Sequence, residues 1–202
     1  MNHHPLAARC LLALSLLAAA GSLPAADDTW NKTSGTNSWD APANWVSGAQ
    51  FPNGVSDVAN VNINLSAAST INLNQPITVG TLNLGDSTTA YYALTLNAGT
   101  AGTLTFDSFT GTALMARTVT VSPGVTDTLN VPVAIYAPLN VSFPWVNAAN
   151  GIRLNGLVSG FYGIQVQSPS MPSPNTTMAQ FLDLVNTGNT FPGNLEVANG
   201  VV

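Results

Sequence analysis

Trp30, Trp39 and Trp45 crowd one short stretch of this chain, among Asn31, Asn37, Asp40 and Asn44. Flat aromatic faces stack on sugar rings while amides and carboxylates bond to hydroxyls, so the stretch has the makings of a carbohydrate platform. The same indoles suit a second role, folding over the open end of a hydrophobic core. Paired-carboxylate chemistry has one candidate, Asp107 with Asp127, which are 20 residues apart and would lie on neighbouring turns of a chain that coils with about that period. The competing reading is local, because Asp107-Ser108 and Asp127-Thr128 are strand-end pairs in which Asp bonds to its own turn backbone. A polysaccharide lyase needs a base near acidic metal ligands, and Arg117 and Arg153 are the only bases beyond the N-terminal segment. Each suits equally a turn anchor or a single ion pair with a nearby Asp.

Other site chemistries are excluded by where the remaining reactive residues lie. His3, His4 and Cys10 all fall in residues 1–26. That segment reads as a secretory signal peptide: Arg9 and the terminal amine come first, a short apolar run over 10–20 follows, and a small-residue exit with Pro24 ends it. Cleavage after Ala25 or Ala26 is expected, and it leaves a chain with no histidine and no cysteine. A Ser-His-Asp or Cys-His nucleophile, a transition-metal site and a disulfide framework are then all unavailable. Calcium has suitable oxygen ligands in principle, but neither the EF-hand spacing nor the Gly-Gly-x-Gly-x-Asp nonapeptide occurs. Gly99 and Gly102 precede no helical pattern, so no phosphate loop is expected. The sequons at Asn31, Asn64, Asn140 and Asn175 are what chance supplies in a chain rich in Asn and Thr.

Beyond residue 26 the basic residues are Lys32, Arg117 and Arg153, set against nine Asp and Glu. Counterion release needs clustered Lys or Arg, so neither nucleic acid nor an anionic membrane surface is an expected partner. No later apolar run reaches membrane-spanning length. Charged residues are 6% of the chain and hydrophobic ones 46%, a balance opposite to that of disordered segments. Asn, Thr, Ser and Gly fill the gap, which suits an extracellular all-β protein with polar side chains on pleated faces and in turns.

The elements that must position any site are short strands. Val61-Asn62-Ile63-Asn64-Leu65 alternates apolar and polar residues strictly, and the pattern recurs at 71–74, 77–84, 94–96, 104–106, 119–121, 129–135, 139–141, 152–158, 164–166, 182–184 and 195–197. Residues 110–116 and 176–184 have at most the pattern of a short helical turn. Gly, Asn, Pro or Ser separate the strands at near-regular spacing, which suits a sandwich, a barrel or a β-solenoid. Only Asn150-Gly151, of three Asn-Gly pairs, lies between plausible strands, so hairpin signals are scarce and a solenoid with coils of about 20–30 residues is favoured. Its alternating asparagines would then stack into hydrogen-bonded amide ladders.

The C-terminal stretch carries a family likeness. Leu182-Asp183-Leu184 followed by Asn189-Thr190-Phe191-Pro192-Gly193 and Leu195-Glu196-Val197 resembles the autotransporter-associated β-strand repeat, with Phe for the usual Tyr and Pro for the usual Thr. Leu154-Asn155-Gly156-Leu157-Val158-Ser159-Gly160 is similar to the turn that commonly precedes such a repeat. At the other end, Trp30, Trp39, Asn44-Trp45, Phe51-Pro52-Asn53-Gly54 and Asp57-Val58-Ala59 resemble the opening of large exported bacterial proteins that carry these repeats. The resemblance implies a right-handed parallel β-helix in a secreted or surface-displayed bacterial protein, and a chain that is an N-terminal fragment of a longer one.

The expected architecture is therefore an all-β right-handed parallel β-helix with an aromatic N-terminal cap, with a β-sandwich as the alternative. Its parts are a signal peptide over 1–26, a Trp-rich cap segment over 27–60, and solenoid coils over 61–202 with one repeat at about 180–202. The expected role is structural or adhesin-like, without catalysis, cofactor or metal. The alternatives are a carbohydrate-binding module using Trp30, Trp39 and Trp45 and, more remotely, a polysaccharide-degrading enzyme. Extracellular polysaccharide or other surface proteins are the expected partners.

Overall fold

In the computed structural model, which describes residues 25–87, 90, 92–118, 125–144, 150–167 and 180–198, the alternating segments form a parallel β-helix. It opens with β1 (Asp27–Thr29), β2 (Gly35–Ser38), a single 3-10 turn over Pro42–Asn44 and β3 (Val58–Asn60). Three-strand coils follow. The first holds β4 (Ser69–Asn72), β5 (Pro76–Val79) and β6 (Thr81–Leu84), and the second β7 (Leu94–Asn97), β8 (Thr103–Phe106) and β9 (Ala113–Arg117). The third holds β10 (Thr126–Asn130), β11 (Val133–Ile135) and β12 (Leu139–Ser142), and the fourth β13 (Asn150–Leu154), β14 (Val158–Gly160) and β15 (Ile164–Gln167). The last described coil has β16 (Gln180–Leu184) and β17 (Leu195–Ala198), joined through a single bridge from Thr190 to Ser159.

Equivalent strands stack in register into a seven-stranded sheet (β1-β3-β6-β9-β12-β15-β17), a six-stranded sheet (β2-β4-β7-β10-β13-β16) and a four-stranded sheet (β5-β8-β11-β14). Among the described residues all the strand ladders are parallel, which excludes the sandwich of antiparallel sheets. Parallel neighbours need a long crossover, and here the rest of each coil supplies it.

Strict alternation sends one residue in two inward, and stacking aligns these into continuous columns. Ala59, Leu82, Met115 and Val141 form one, Ile71, Leu96, Leu129 and Leu154 a second, and Ile77, Leu104, Val133 and Val158 a third; all twelve are buried. Outward asparagines make the expected ladder. The Asn130 amide donates to Asn97 at 2.9 Å, 33 residues back, and the Asn155 amide to Asn130 at 2.7 Å, 25 residues back.

Several sequence expectations need correction. Strand pairing begins at Asp27, inside the expected cap segment, since β1, β2 and β3 already belong to the seven- and six-stranded sheets. Residues 61–65 are not a strand: Val61 still donates to Asn83 O, but the Leu65 amide is taken by the Asp86 carboxylate, which leads the chain off the ladder. The run 77–84 is two strands bent at Gly80, where a Cβ would stand 2.4 Å from the Ser56 Cα, so only glycine fits the corner. The runs 129–135 and 152–158 divide in the same way. Residues 113–116 are strand instead of helical turn, because pairing with β6 and β12 on either side overrides a weak local preference; β16 likewise occupies 180–184. Residues 1–24 of the expected signal peptide over 1–26, and the strand at 119–121, lie outside the described residues.

Candidate functional site

The three tryptophans close the first coil from within the core. Trp30, Trp39 and Trp45 are 1%, 0% and 1% exposed. Trp45 stands edge-on between the other two, with ring centroids 5.1 Å from Trp30 and 4.8 Å from Trp39, a favoured aromatic geometry. Its indole N–H donates to Trp39 O at 2.7 Å, and that of Trp39 donates to Pro52 O at 2.9 Å. The backbone around Trp45 runs antiparallel along the outer edge of β1: Asn31 N–H donates to Asn44 O and Val46 N–H to Thr29 O. The edge that would otherwise template another chain is thereby covered.

This corrects the reading of the indoles as a glycan platform, since buried rings offer no face to a sugar. The polar neighbours hold the cap together: Asn31 donates to Ala43 O and Trp45 O, Asn37 to Ser34 O and Asn44 to Ser38 O, and Asp40 accepts from Asn74. Asn53, Gly54 and Asp57 fasten the loop that follows the cap. The Asp57 carboxylate accepts the Ala26 and Asn53 amides at 2.8 and 2.9 Å, and Gly54 leaves room for it.

Asp107 and Asp127 do not come together. Asp107 directly follows β8, an inner strand of the four-stranded sheet, and its carboxylate accepts the amide of its own neighbour Ser108. Asp127 lies within β10 of the six-stranded sheet, pointing inward beside Leu94 and Ile152 and fully buried. Its carboxylate accepts the Leu94 amide at 3.0 Å and Arg117 Nε at 2.9 Å. Burial pushes the Asp127 carboxyl above the ordinary aspartate value, and Arg117 and the Leu94 amide pull it only part of the way back. The other buried acids also fasten loops. Asp28 accepts from Thr29 and Ser47, and Asp86 from the Leu65 and Tyr92 amides. Arg153 pairs with Asp183 across β13 and β16 at 2.9 Å. Among the described residues no three His, Cys, Asp or Glu side chains gather to hold a metal ion, and no helix is long and apolar enough to cross a membrane.

The sequence did not reveal a groove on the outside of the helix. It has a volume of about 370 Å³ and runs along the corner where the chain enters the seven-stranded sheet. Thr112, Pro138, Gly163 and Asn194, each the residue just before β9, β12, β15 and β17, form one side. Outward Asn140, Gln165 and Glu196, in register on successive rungs, form the other. The same corner carries a strip of outward aromatic rings: Phe109 is 73% exposed, Tyr136 48%, Phe161 72% and Tyr162 45%. Tyr136 and Phe161 stack across neighbouring coils at 5.3 Å with a 33° tilt. Their recurrence at about one coil length is present in the sequence, yet it becomes visible only once unequal coils are set in register.

The repeat-like motif lies on the next coil. Asn189 accepts the Val158 amide at 2.9 Å, Thr190 bridges to Ser159, and Phe191 packs against the core. Comparison with known protein families, curated proteins and solved structures gives no match to this chain.

Proposed function

We propose that this protein is a secreted or surface-displayed β-solenoid, an adhesin-like scaffold whose work is to extend and present a surface, without catalysis of its own. The observation that carries the reading is the use made of the acidic side chains. Among the described residues, eight of the nine acids hold amides, hydroxyls or an arginine of this same fold. The ninth, Glu196, is exposed and has no second carboxyl at hand among the groove residues. Glycoside hydrolysis in its usual form needs two carboxyl groups flanking one bond.

The leader-like residues 1–26 and the resemblance of 182–197 to the autotransporter-associated repeat support export of the chain. A stack of parallel coils with a continuous core suits display, since each added coil lengthens the rod and presents the same faces again. The test is incubation of the purified chain with a panel of neutral and acidic polysaccharides, measuring new reducing ends and unsaturated products. The expected result is no turnover. Turnover abolished by Glu196→Gln or Asp107→Asn would overturn the non-catalytic reading.

A further inference from the structure

The aromatic strip gathers the exposed aromatic rings of the described residues at one corner of the outer surface, where the fold leaves them unused. Exposed rings contribute nothing to a core, and soluble proteins seldom cluster them without a ligand. Phe109, Tyr136 and Phe161 sit at the same corner of three successive coils, and the Tyr136 and Phe161 rings lie side by side at 5.3 Å with a 33° tilt. Beside it run the amides of Asn140 and Gln165 and the carboxylate of Glu196, one per rung, with the backbone turns opposite.

We propose that this strip and groove bind an extended neutral polysaccharide lying along the helix axis. Ring faces carry partial negative charge and attract the C–H faces of pyranose rings. Amides and a carboxylate, each with donor or acceptor capacity, match hydroxyls spaced along the same chain. Strand spacing sets the repeat of this surface at about 4.8 Å, close to the advance of one sugar in an extended glycan, so successive rungs meet successive residues. Charge decides the class. The groove residues include no Lys or Arg, Arg117 is buried with Asp127, and Arg153 is paired with Asp183 on a different sheet. Nothing there would neutralise an anionic glycan, and Glu196 would repel one. The site is distinct from the buried tryptophans and does not depend on where the protein is displayed.

Affinity electrophoresis of the purified chain tests this, in gels containing mixed-linkage β-glucan, xyloglucan or galactomannan, with polygalacturonate as the anionic probe. Retardation is expected in at least one neutral gel, unaffected by salt, and absent with polygalacturonate. The Tyr136→Ala/Phe161→Ala variant should bind about tenfold or more weakly, as loss of a stacked ring does elsewhere, at an unchanged melting temperature. Should that variant fold poorly, Gln165→Ala carries the same expectation of weakened binding. Absence of retardation in every neutral gel, or equal retardation of wild type and variants, overturns the proposal. So does retention by polygalacturonate as strong as by the neutral polymers. Sedimentation showing self-association of the wild type that Tyr136→Ala/Phe161→Ala abolishes would make the strip a contact between copies, and would overturn it as well. A negative result here leaves the display role standing, while turnover of the same polymers would refute the non-catalytic reading and leave the site.

Discussion

Trp45→Ala removes the middle ring of the cap and should be among the most damaging single changes in the protein. The indole is 1% exposed and touches a ring on each side, at 5.1 and 4.8 Å. Emptying a buried tryptophan site costs about 3–5 kcal/mol, and each edge-on pair adds about 0.5–1.5 kcal/mol beyond area, so the upper part of the range applies. Trp39 O also loses the donor it has at 2.7 Å. For a domain of this size each kcal/mol lowers the melting temperature by about 2–4 °C, which puts the fall at about 10–15 °C. Circular dichroism melts measure it. Coils in a solenoid depend mainly on their neighbours, so hydrogen exchange should quicken first in β1 to β4 and last in β13 to β17. An unchanged melting temperature would refute the cap, and a uniform loss of protection would refute the local character of its effect.

Asn130→Ala breaks two ladder bonds and Asn155→Ala one; urea melts should show a loss of about 1–2 kcal/mol for the first and less for the second. Gly102→Ala would put a Cβ 1.9 Å from Leu73 O and 2.5 Å from Ala98 O, and overpacking against backbone should lower stability by about 1–3 kcal/mol in the same assay. The raised pKa of Asp127 has a definite sign. The folded state holds that proton more tightly than the unfolded chain, so its contribution is fully present below the ordinary value of 3.8 and is lost as pH rises through the raised folded value. Asp127→Asn lacks this slope but leaves the Arg117 guanidinium buried without its counter-charge, so it should be less stable than wild type, by about 3–5 kcal/mol, with the gap narrowing as pH rises. Thermal melts of both across pH check it, and a wild type that gains on the variant as pH rises would mean that the Arg117 attraction outweighs burial.

The apolar columns were legible in the sequence because alternation with period two records which face is buried, as in Ile71-Asn72-Leu73 and Leu94-Thr95-Leu96. The asparagine ladder followed from the same pattern. β1 and β2 were not legible, since Asp27-Asp28-Thr29 and Gly35-Thr36-Asn37-Ser38 carry no apolar alternation and become strands only by pairing with β3 and β4. Asp127 looked like a turn residue, yet the register places it in an inward column between Leu94 and Ile152. The pairings of Arg117 and Arg153 with single aspartates matched their expected role. The groove escaped notice because its residues come from four corners whose alignment depends on coils of unequal length.

Display of an exported solenoid is tested most directly by labelling intact, unpermeabilised cells that express the gene from its own start codon, using antibody raised against the purified chain. The account predicts label on intact cells or in the medium, carried by a protein whose N-terminal sequence begins at Ala26 or Asp27. Label that appears only after permeabilisation, on a cytoplasmic protein still beginning at Met1, would contradict it.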